Sequence, residues 1–537
     1  MHPKQIVYGQ EAREKLLAGV EKMARAVTTT LSPKGRNVAL GQPFGQTPKV
    51  IHDGVSVAKE IVLEDAFENM GALLAREAAE KTNDEVGDGT TTAILLTQKI
   101  TSIGMKLVNN GANPMLMKNG IDKAVAAVCK EIQRLSTPLK HADWEKVATL
   151  SAQNSLIGKK IVEALELVGD SGMIEIQEGK STEIVIEHKE GMTYDSGYSS
   201  VYFCKSKDEL VAEIKDAYIL ITDYNITKWE EIGPLLEKLV VIPQNAKGNI
   251  VIIADGMEDE VLNALIVNKM GNRVNVLVPR APYFGARRRA MMSDIAAMTG
   301  GKVVSEQMGM KLTDPDILNH LGRADLVKSD KSTTSIIGGK GDPKAIEQHI
   351  KGIRAEREAA TLPHEKEATT VRLARMTGGV ALIMVGASSE SEMKNLKERV
   401  IDAKGATLAA IKTGIVAGGG VTLLQAIKVL DGMTFDNEDE VMGAKIIEEV
   451  AQEPLKLLAS NAGNKNPERI VFQVLSQKDP KYGYNVLTGD YGDMIKMGII
   501  EPAGLAVASL KYAASAASMI LTTDCLVNDA PEAKKNG

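Results

Sequence analysis

The sequence predicts a multidomain protein of the α and α/β classes, in which two helix-rich ends flank an α/β middle. Its 537 residues are too many for one hydrophobic core, so roughly two to four domains are expected. Apolar residues recur at helical spacing through most of residues 11–135 and again after residue 418. Between residues 192 and 380, short apolar strands alternate with helical patterns, as in α/β units.

The first 135 residues predict helices around one small hairpin. A helix over residues 11–30 should end before Ser32-Pro33-Lys34-Gly35, because proline and glycine interrupt helices. Val38–Leu40 and Lys49–Ile51 predict two short strands, and Asp53-Gly54 a turn at the end of the second. Longer helical patterns follow at 65–84, 90–109 and 114–135.

The middle of the chain begins with short strands and continues with a βαβ pattern. Met173–Ile176 and Glu183–Glu187 predict strands, and Glu190–Met192 predicts a hinge. Further strands are predicted at Tyr218–Thr222, Ile250–Ala254, Val274–Val278 and Lys302–Ser305. A helical pattern follows each of the first three, which is typical of parallel strands with crossover helices.

A charged helical pair at 340–376 precedes the strand Val380–Val385 and a helix at 389–412. Gly418-Gly419-Gly420 then opens the second helix-rich end. The simplest compact arrangement packs the two ends together as one domain, with the middle as an insertion.

Composition excludes several classes of protein. A net charge of −6 gives no basic surface for nucleic acid. The three cysteines form no CxxC pair, so neither a disulfide framework nor a zinc site is indicated. No apolar run reaches about 18 residues, and residues 1–5 lack the apolar stretch of a signal peptide. We therefore expect no membrane partner and a cytoplasmic location.

The stretch Glu85–Thr92 combines two glycines, an acid and three hydroxyls just before a helix. A helix start offers free N–H groups and partial positive charge, which suit phosphate, and Asp88 is a suitable oxygen ligand for Mg²⁺. The order is not that of a Walker loop. A phosphate site and an ordinary helix cap both remain open from these residues alone.

Four segments together resemble one known family: Thr30-Leu31-Ser32-Pro33, Asp53-Gly54, Gly87–Thr92 and Ile415–Val421. In this order and spacing, with Asp402 between the last two, they resemble the group I chaperonins of the Hsp60/GroEL type. The resemblance extends over residues 8–527 and includes Phe67–Ala72 and Tyr482–Asn485.

The resemblance implies three domains and a ring. Residues 1–134 and 413–537 would form an equatorial ATP-binding domain, and 135–190 with 381–412 a small intermediate α/β hinge domain. Residues 191–380 would form an inserted apical α/β domain that binds non-native polypeptides and a co-chaperonin of the Hsp10/GroES type. Seven chains would form a ring, single or double.

The resemblance also implies an ATPase that uses ATP and Mg²⁺, with K⁺ as a further candidate. Asp88 would hold Mg²⁺, and Asp402 and Asp53 would orient or deprotonate the attacking water. Because Asp402 lies in the hinge segment, hydrolysis would be coupled to domain closure. The implied nucleotide-binding residues are Thr30, Leu31, Ser32, Pro33, His52, Asp88, Gly89, Thr90, Thr91, Thr92, Gly418, Gly419, Asn485, Val486, Ile499 and Glu501.

Two apolar helical segments of the middle could bind foreign chains. Each has two stripes at i,i+4 spacing: Leu235/Leu239 and Leu236/Val240, then Val261/Leu265 and Leu262/Ile266. One stripe could face the core and the other solvent, or a sheet could cover both. The resemblance favours an exposed groove, and its implied lining is Leu236, Leu262, Ile266 and Val267. A third apolar patch, indicated by the residues themselves, contains Tyr198, Val201, Tyr202 and Phe203.

Several residues depart from the family's pattern. Ser32 and Tyr283 stand where glycine is usual, and Gly233 stands where an apolar groove residue is usual. His52 replaces a phosphate-reaching lysine, and Glu501 replaces an aspartate on the ribose or base side. The loop Asn461–Pro467 has an extra residue and lacks the usual inter-ring acid, which leaves one ring or two open.

Two other functions remain to be weighed. A stand-alone small-molecule kinase or ligase could use the same phosphate loop, but would be a monomer or dimer. A ring that binds clients and hardly hydrolyses ATP is motivated by Ser32 and His52.

Overall fold

The computed structural model describes residues 3–41, 48–51, 53–169, 173–179, 181–204, 210–242 and 248–529, with the backbone alone at 49, 363, 364 and 391. The chain divides into two compact units. The first contains 1–162, 180–183 and 385–537, and the second contains 163–179 and 184–384. The predicted boundaries of three domains stay a prediction.

The helices follow the predicted pattern closely. They are α1 (Gly9–Val27), α2 (Gly54–Glu60), α3 (Ala66–Val86), α4 (Thr90–Asn109), α5 (Pro114–Leu135), α6 (Trp144–Ala152), α7 (Ser155–Val168), α8 (Trp229–Val240), α9 (Asp259–Met270), α10 (Gly285–Thr299), α11 (Pro343–Ala359), α12 (Pro363–Gly378), α13 (Glu390–Thr413), α14 (Val421–Ala426), α15 (Glu438–Val450), α16 (Glu453–Asn461), α17 (Pro467–Leu475) and α18 (Ala503–Thr522).

The strands form one large sheet, one three-stranded sheet and four pairs. They are β1 (Lys4–Tyr8), β2 (Val38–Leu40), β3 (Lys49–Ile51), β4 (Met173–Glu178), β5 (Val185–Lys189), β6 (Gly191–Tyr194), β7 (Ala212–Ile226), β8 (Ile250–Met257), β9 (Val276–Leu277), β10 (Val303–Val304), β11 (Gly322–Ser329), β12 (Thr334–Gly339), β13 (Val380–Val385), β14 (Ile415–Ala417), β15 (Tyr482–Tyr484), β16 (Tyr491–Asp493), β17 (Ile500–Pro502) and β18 (Cys525–Asp529).

The first unit is mostly helical, and both chain ends belong to it. Its core lies among α1, α3, α4, α5, α15 and α18, whose apolar faces supply most of one large buried cluster. Strand β1 pairs antiparallel with β18, with Lys4 opposite Asp529. The two helix-rich ends therefore pack together, because each buries its apolar faces against the other.

Helix α18 has the length and mean hydropathy of a membrane span, the one such helix among the described residues. However, 67% of its most apolar window is buried inside the protein. Its small residues, such as Ala513 and Ala517, are fully enclosed by neighbouring helices. This is the packing of a central core helix.

The second unit is built on a seven-stranded sheet of order β6-β12-β11-β7-β8-β9, with β10 beside β7. Strands β8 and β10 run parallel to β7, and β9 runs parallel to β8. These are the four strands predicted from the βαβ pattern, and α8, α9 and α10 follow the first three of them. The fold class predicted from the sequence, multidomain α and α/β, is confirmed.

A three-stranded sheet of order β4-β13-β5 also belongs mainly to the second unit. Its strands were all predicted.

One local prediction was wrong: Asp53-Gly54 does not form an isolated turn but begins α2. The Asp53 side chain accepts hydrogen bonds from the N–H groups of Val55 and Ser56, so it caps a helix that the short apolar pattern did not indicate.

Candidate functional site

The turn between α3 and α4 forms the centre of the candidate site. Gly87 (φ 76°) ends α3 and Gly89 (φ 87°) begins α4, both in the left-handed region that glycine adopts without strain. Asp88 between them accepts a 2.5 Å hydrogen bond from Gly89 N–H at Oδ1 and a 3.3 Å bond from the Ser151 hydroxyl at Oδ2. Its carboxylate is thus fixed at the start of α4, where the first N–H groups of a helix have no partner within the helix.

The beginning of α2 lies against the beginning of α4. A Cβ added to Gly54 would be 2.3 Å from Thr91 Oγ1, so only glycine allows this approach. Asp53 precedes Gly54, and its two oxygens accept from Val55 N–H at 3.2 Å and Ser56 N–H at 2.7 Å. Together with buried Thr90 and Thr91, this brings a second carboxylate to the same helix start.

Helix α13 brings a third carboxylate. Gly405 packs against the turn so closely that a Cβ on Gly87 would be 2.7 Å from Gly405 Cα. Asp402 lies three residues earlier on α13. Burial, followed by the negative charges of Asp88 and Asp53, raises the pKa of Asp402 well above its usual value. Burial and the charge of Asp53 likewise raise the pKa of Asp88.

A fourth acid, Glu501, lies on strand β17. Strand β17 pairs with β14, with Glu501 opposite Val416. Burial, and then the charge of Asp88, raises the pKa of Glu501 to about 8. Gly418 follows β14, and its N–H donates to Ile499 O at 3.0 Å. Gly418, Ile499 and Glu501 therefore lie close together, on or beside the paired strands β14 and β17.

The turn that follows α1 contains the next predicted site residues. Thr30 is buried, and its hydroxyl donates to Val27 O at 2.8 Å. Ser32 has φ 105°, a left-handed conformation that a side chain disfavours. Leu31 is half-buried and Pro33 is exposed.

The segment around Asn485 reaches this turn. Lys34 Nζ donates to Leu487 O at 3.5 Å. Asn485 Oδ1 accepts from Leu487 N–H at 3.0 Å, and Val486 is half-buried. The side chain of Asn485 therefore shapes its own turn. His52 lies outside the described residues.

The carboxylates are suited to a cation whose other ligands are phosphate and water. Among the described residues, no group of three or more His, Cys, Asp or Glu side chains could hold a metal, and no ion pair involves Asp53, Asp88, Asp402 or Glu501. Mg²⁺ is commonly bound by one or two carboxylates plus phosphates and water. Burial is the main cause of the raised pKa values of Asp88 and Asp402, and neighbouring carboxylates add to it, so a bound cation would stabilise the charged forms.

The predicted apolar groove in the second unit is only partly exposed. Tyr198, Phe203, Leu236 (3% exposed) and Ile266 (8%) are buried in the core of the large sheet, so their prediction as exposed lining is wrong. The physical reason is that these residues pack into one buried apolar cluster, which takes in residues from both stripes of α8 and of α9. Leu262 is half-buried.

A smaller apolar surface remains exposed beside it. Tyr202 (59% exposed) lies on a 3₁₀ turn, Val201–Phe203, that packs against α9. Val267 and Met270, each 67% exposed, lie on the second half of α9. Lys269 Nζ lies 5.6 Å from the Phe203 ring centre, which ties the two elements together. We call Val201, Tyr202, Val267 and Met270 the apical patch.

Three residues that contact the candidate site were not predicted. Ser151 donates to Asp88, and Ser509 donates to Gly89 O at 3.3 Å. Asn461 donates to the carbonyls of Thr28 and Leu31. All three act through contacts between residues far apart in sequence, and no local pattern marks them.

Comparison with solved structures identifies similar folds. The chaperonin gp146 from the bacteriophage EL 2 (Pseudomonas aeruginosa), crystal form II, matches with a TM-score of 0.67 and 22% identity, over 97% of this chain and 98% of that chain. Crystal form I of the same protein matches with a TM-score of 0.63 and 22% identity, over 98% and 99%. These likenesses establish the fold.

The sequence itself carries the family assignment. The sequence model of the TCP-1/cpn60 chaperonin family matches residues 23–531, and this range includes all four segments of the nucleotide region. Since the match covers nearly the whole chain, the protein belongs to the TCP-1/cpn60 chaperonin family.

Proposed function

We propose that this protein is an ATP-driven chaperonin, which binds ATP at the start of α4, hydrolyses it, and uses the cycle to hold and release non-native polypeptides. The observation that carries the proposal is the convergence of Asp53, Asp88 and Asp402 on one helix start lined by buried threonines. The structurally similar chaperonin gp146 was crystallised in the presence of ATP-BeFx. This supports the proposal that a protein of this fold binds a nucleotide.

The phosphates would be held by the first turn of α4. Gly89 and Thr90, Thr91 and Thr92 offer backbone N–H groups and hydroxyls at the positive end of the helix dipole. Asp88 would hold Mg²⁺, which supplies neutralisation of phosphate charge when bound. K⁺ is a further candidate ion. The adenosine would lie between Gly418, Gly419 and Ile499 on one side and Val486 with Leu31 on the other.

Asp402 is proposed as the group that accepts the proton of the attacking water, and Asp53 as its orienting neighbour. A general base works best when its pKa is close to the operating pH. The pKa of Asp402 is raised by burial and by Asp88 and Asp53, which moves it in that direction. Asp53 is held by two backbone N–H groups, so its carboxylate keeps a fixed position.

Non-native chains are proposed to bind the apical patch. Burial of apolar surface is non-directional, so such a surface accepts many sequences. Val201, Tyr202 and Val267 carry this role from the predicted residues, and Met270 enlarges the surface. Copies of the patch in one assembly would add avidity.

The organisation of the whole protein is proposed from the family. Residues 1–134 with 413–537 act as the equatorial domain, 135–190 with 381–412 as the hinge domain, and 191–380 as the apical domain. Seven chains form a ring, single or double, in the cytoplasm, and a co-chaperonin of the Hsp10/GroES type closes it.

The test is Asp402→Ala, assayed for both ATP binding and phosphate release. Loss of a general base lowers a rate by roughly 10²–10⁴, whereas ATP binding should persist. Glu392→Ala is the matched control, because it removes an exposed acid from the same helix. Unchanged turnover in Asp402→Ala would remove this residue from the mechanism.

An assay of client aggregation beside the phosphate-release assay separates the alternatives. A ring that binds clients but hardly hydrolyses ATP would protect a denatured client from aggregation and release negligible phosphate. A small-molecule kinase would show no such protection, and membership of the chaperonin family disfavours it.

A further inference from the structure

Helix α16 contacts three of the segments that surround the candidate nucleotide site. Glu453 at its start pairs with Lys99 of α4 at 2.8 Å. A Cβ on Gly420 would be 2.9 Å from Leu455 N, so the glycine turn after β14 rests on α16. Asn461 at its end donates to the turn after α1. One short helix thus touches the phosphate helix and both flanking turns.

The contact at Asn461 is the most specific of the three. Its Nδ2 donates to Leu31 O at 2.7 Å and to Thr28 O at 3.1 Å, so one amide bridges both ends of the segment that contains Thr30. Ser32 follows directly at φ 105°. Local bonds from Gly35 N–H to Ser32 O and from Arg36 N–H to Thr29 O complete the turn. A strained backbone of this kind persists only where its surroundings fix it.

We propose that Asn461 is a positioning residue for nucleotide binding, which holds Thr28–Pro33 in its binding conformation. The proposal rests on the proposed function, because it assumes that this turn contacts the nucleotide. It adds a specific consequence: α16 links the loop 461–466, where this sequence departs from the group I pattern, to the nucleotide site.

The experiment compares Asn461→Asp with wild type in full-length protein, using ATP titration and steady-state hydrolysis. Aspartate is isosteric but donates no hydrogen bond, and its charge would face two carbonyl oxygens. Loss of two hydrogen bonds should raise the Kd and KM for ATP about 10-fold or more. The kcat should stay within about 2-fold, because the turn holds the nucleotide equally before and during reaction.

Asn464→Asp is the matched control. It adds the same charge three residues away, and a carboxylate can still accept the hydrogen bond that Asn464 Oδ1 receives from Asn466 N–H at 3.0 Å. Its ATP affinity should equal that of wild type. Asn461→Gln retains the amide donors and should recover part of the affinity that Asn461→Asp loses.

The outcomes separate the two proposals. If wild type binds ATP and Asn461→Asp binds it as tightly as Asn464→Asp does, the positioning role is overturned. A kcat that falls as much as the affinity would also overturn it. If Asn461→Asp does not fold, Asn461→Gln decides: affinity no better than that of Asn461→Ala overturns the role. If wild type binds no ATP, the proposed function fails and this inference fails with it.

Discussion

Ser32 shows a conflict between side chain and backbone at a single residue. It keeps a left-handed φ of 105° although it carries a side chain, and its hydroxyl accepts from Lys34 N–H at 3.2 Å. Tyr283, the other position where glycine is usual, also has a positive φ of 58°. The backbone geometry that glycine favours is thus retained at both positions without the glycine.

Ser32→Gly and Ser32→Ala together measure this strain. Both remove the hydroxyl, but only glycine relieves the conformation, which costs about 1–2 kcal/mol with a side chain. We expect Ser32→Gly to be more stable than Ser32→Ala by about 1 kcal/mol, the reverse of the usual order. Thermal unfolding of the two variants side by side measures the difference. A higher midpoint for Ser32→Ala would show that the residue is not strained.

Glu501 predicts a pH dependence of stability. Its pKa is about 8 in the folded protein, against 4.5 for an ordinary glutamate, so the folded chain holds a proton that the unfolded chain has released. This residue's contribution to stability therefore falls as pH rises from about 4.5 to 8. Glutamine cannot ionise, so Glu501→Gln should gain stability over wild type at pH 8 relative to pH 5, by up to a few kcal/mol.

The measurement is the thermal midpoint of both proteins at several pH values, with a chelator and without nucleotide. Asp88 and Asp402 are present in both proteins, so the difference reports Glu501 together with its interaction with Asp88. A difference that stays constant between pH 5 and pH 8 would show that Glu501 is ionised throughout.

Prediction at the level of residues succeeded where the local sequence pattern determines the structure. It failed where the structure depends on residues that are distant in the sequence. Helical spacing correctly grouped Leu236 with Val240 and Leu262 with Ile266 on common faces. It could not reveal that the sheet covers Leu236 and Ile266, because periodicity does not count the neighbours of a face. The local pattern of residues 85–92 singled out Asp88, whereas Asp53 and Asp402 came from the family resemblance, because the proximity of the three acids depends on separate helices.

At the scale of elements, the three-stranded sheet and the large sheet of the second unit are fastened together. Glu175 on β4 is buried and bonded to Lys328 on β11 at 2.5 Å, and Asp325 lies 3.2 Å from Lys189 on β5. A buried apolar cluster of Leu326 on β11, Ile337 on β12 and Val380 on β13 joins the same two sheets. The predicted hinge at Glu190–Met192 is hydrogen-bonded to β12, because Gly338 N–H donates to Glu190 O at 2.7 Å.

Lys328→Met should strongly destabilise this junction. Glu175 is 6% exposed and Lys328 28%, so removing Lys328 leaves a buried carboxylate unpaired. A fully buried pair loses roughly 3–5 kcal/mol in this way and this part-buried pair should lose less, whereas replacing both partners by apolar residues is often neutral. The double variant Glu175→Met, Lys328→Met should therefore recover most of the stability. Denaturant unfolding of the full-length protein measures both variants against wild type.

The control for this pair is a solvent-exposed one. Lys351 and Glu347 form an i,i+4 pair on α11 with both side chains 68% exposed. Lys351→Met should change stability by less than about 0.5 kcal/mol. Equal effects of Lys328→Met and Lys351→Met would show that the buried pair contributes no more than a surface one.

At the scale of the whole molecule, one chain leaves apolar surface and strand edges uncovered. Phe472 on α17 is 74% exposed, and Tyr8 on β1 is 63% exposed. The pairs β1–β18 and β2–β3 are two-stranded sheets among the described residues, and such sheets are marginal alone and present unpaired edges. Both features are typical of surfaces that other chains cover.

We therefore predict that the purified protein is a large homo-oligomer. With a chain mass of 57.6 kDa, a closed ring of seven chains would have a mass of about 400 kDa and a double ring about 800 kDa. Light scattering after size exclusion distinguishes the two masses. Because the loop at 461–467 is altered, the sequence favours neither the single-ring mass nor the double-ring mass. Dilution should leave the mass unchanged if the ring is closed, because each chain then has two interfaces to break before it can leave. A particle of one or two chains at micromolar concentration would contradict the ring and leave the exposed Phe472 and strand edges without a partner.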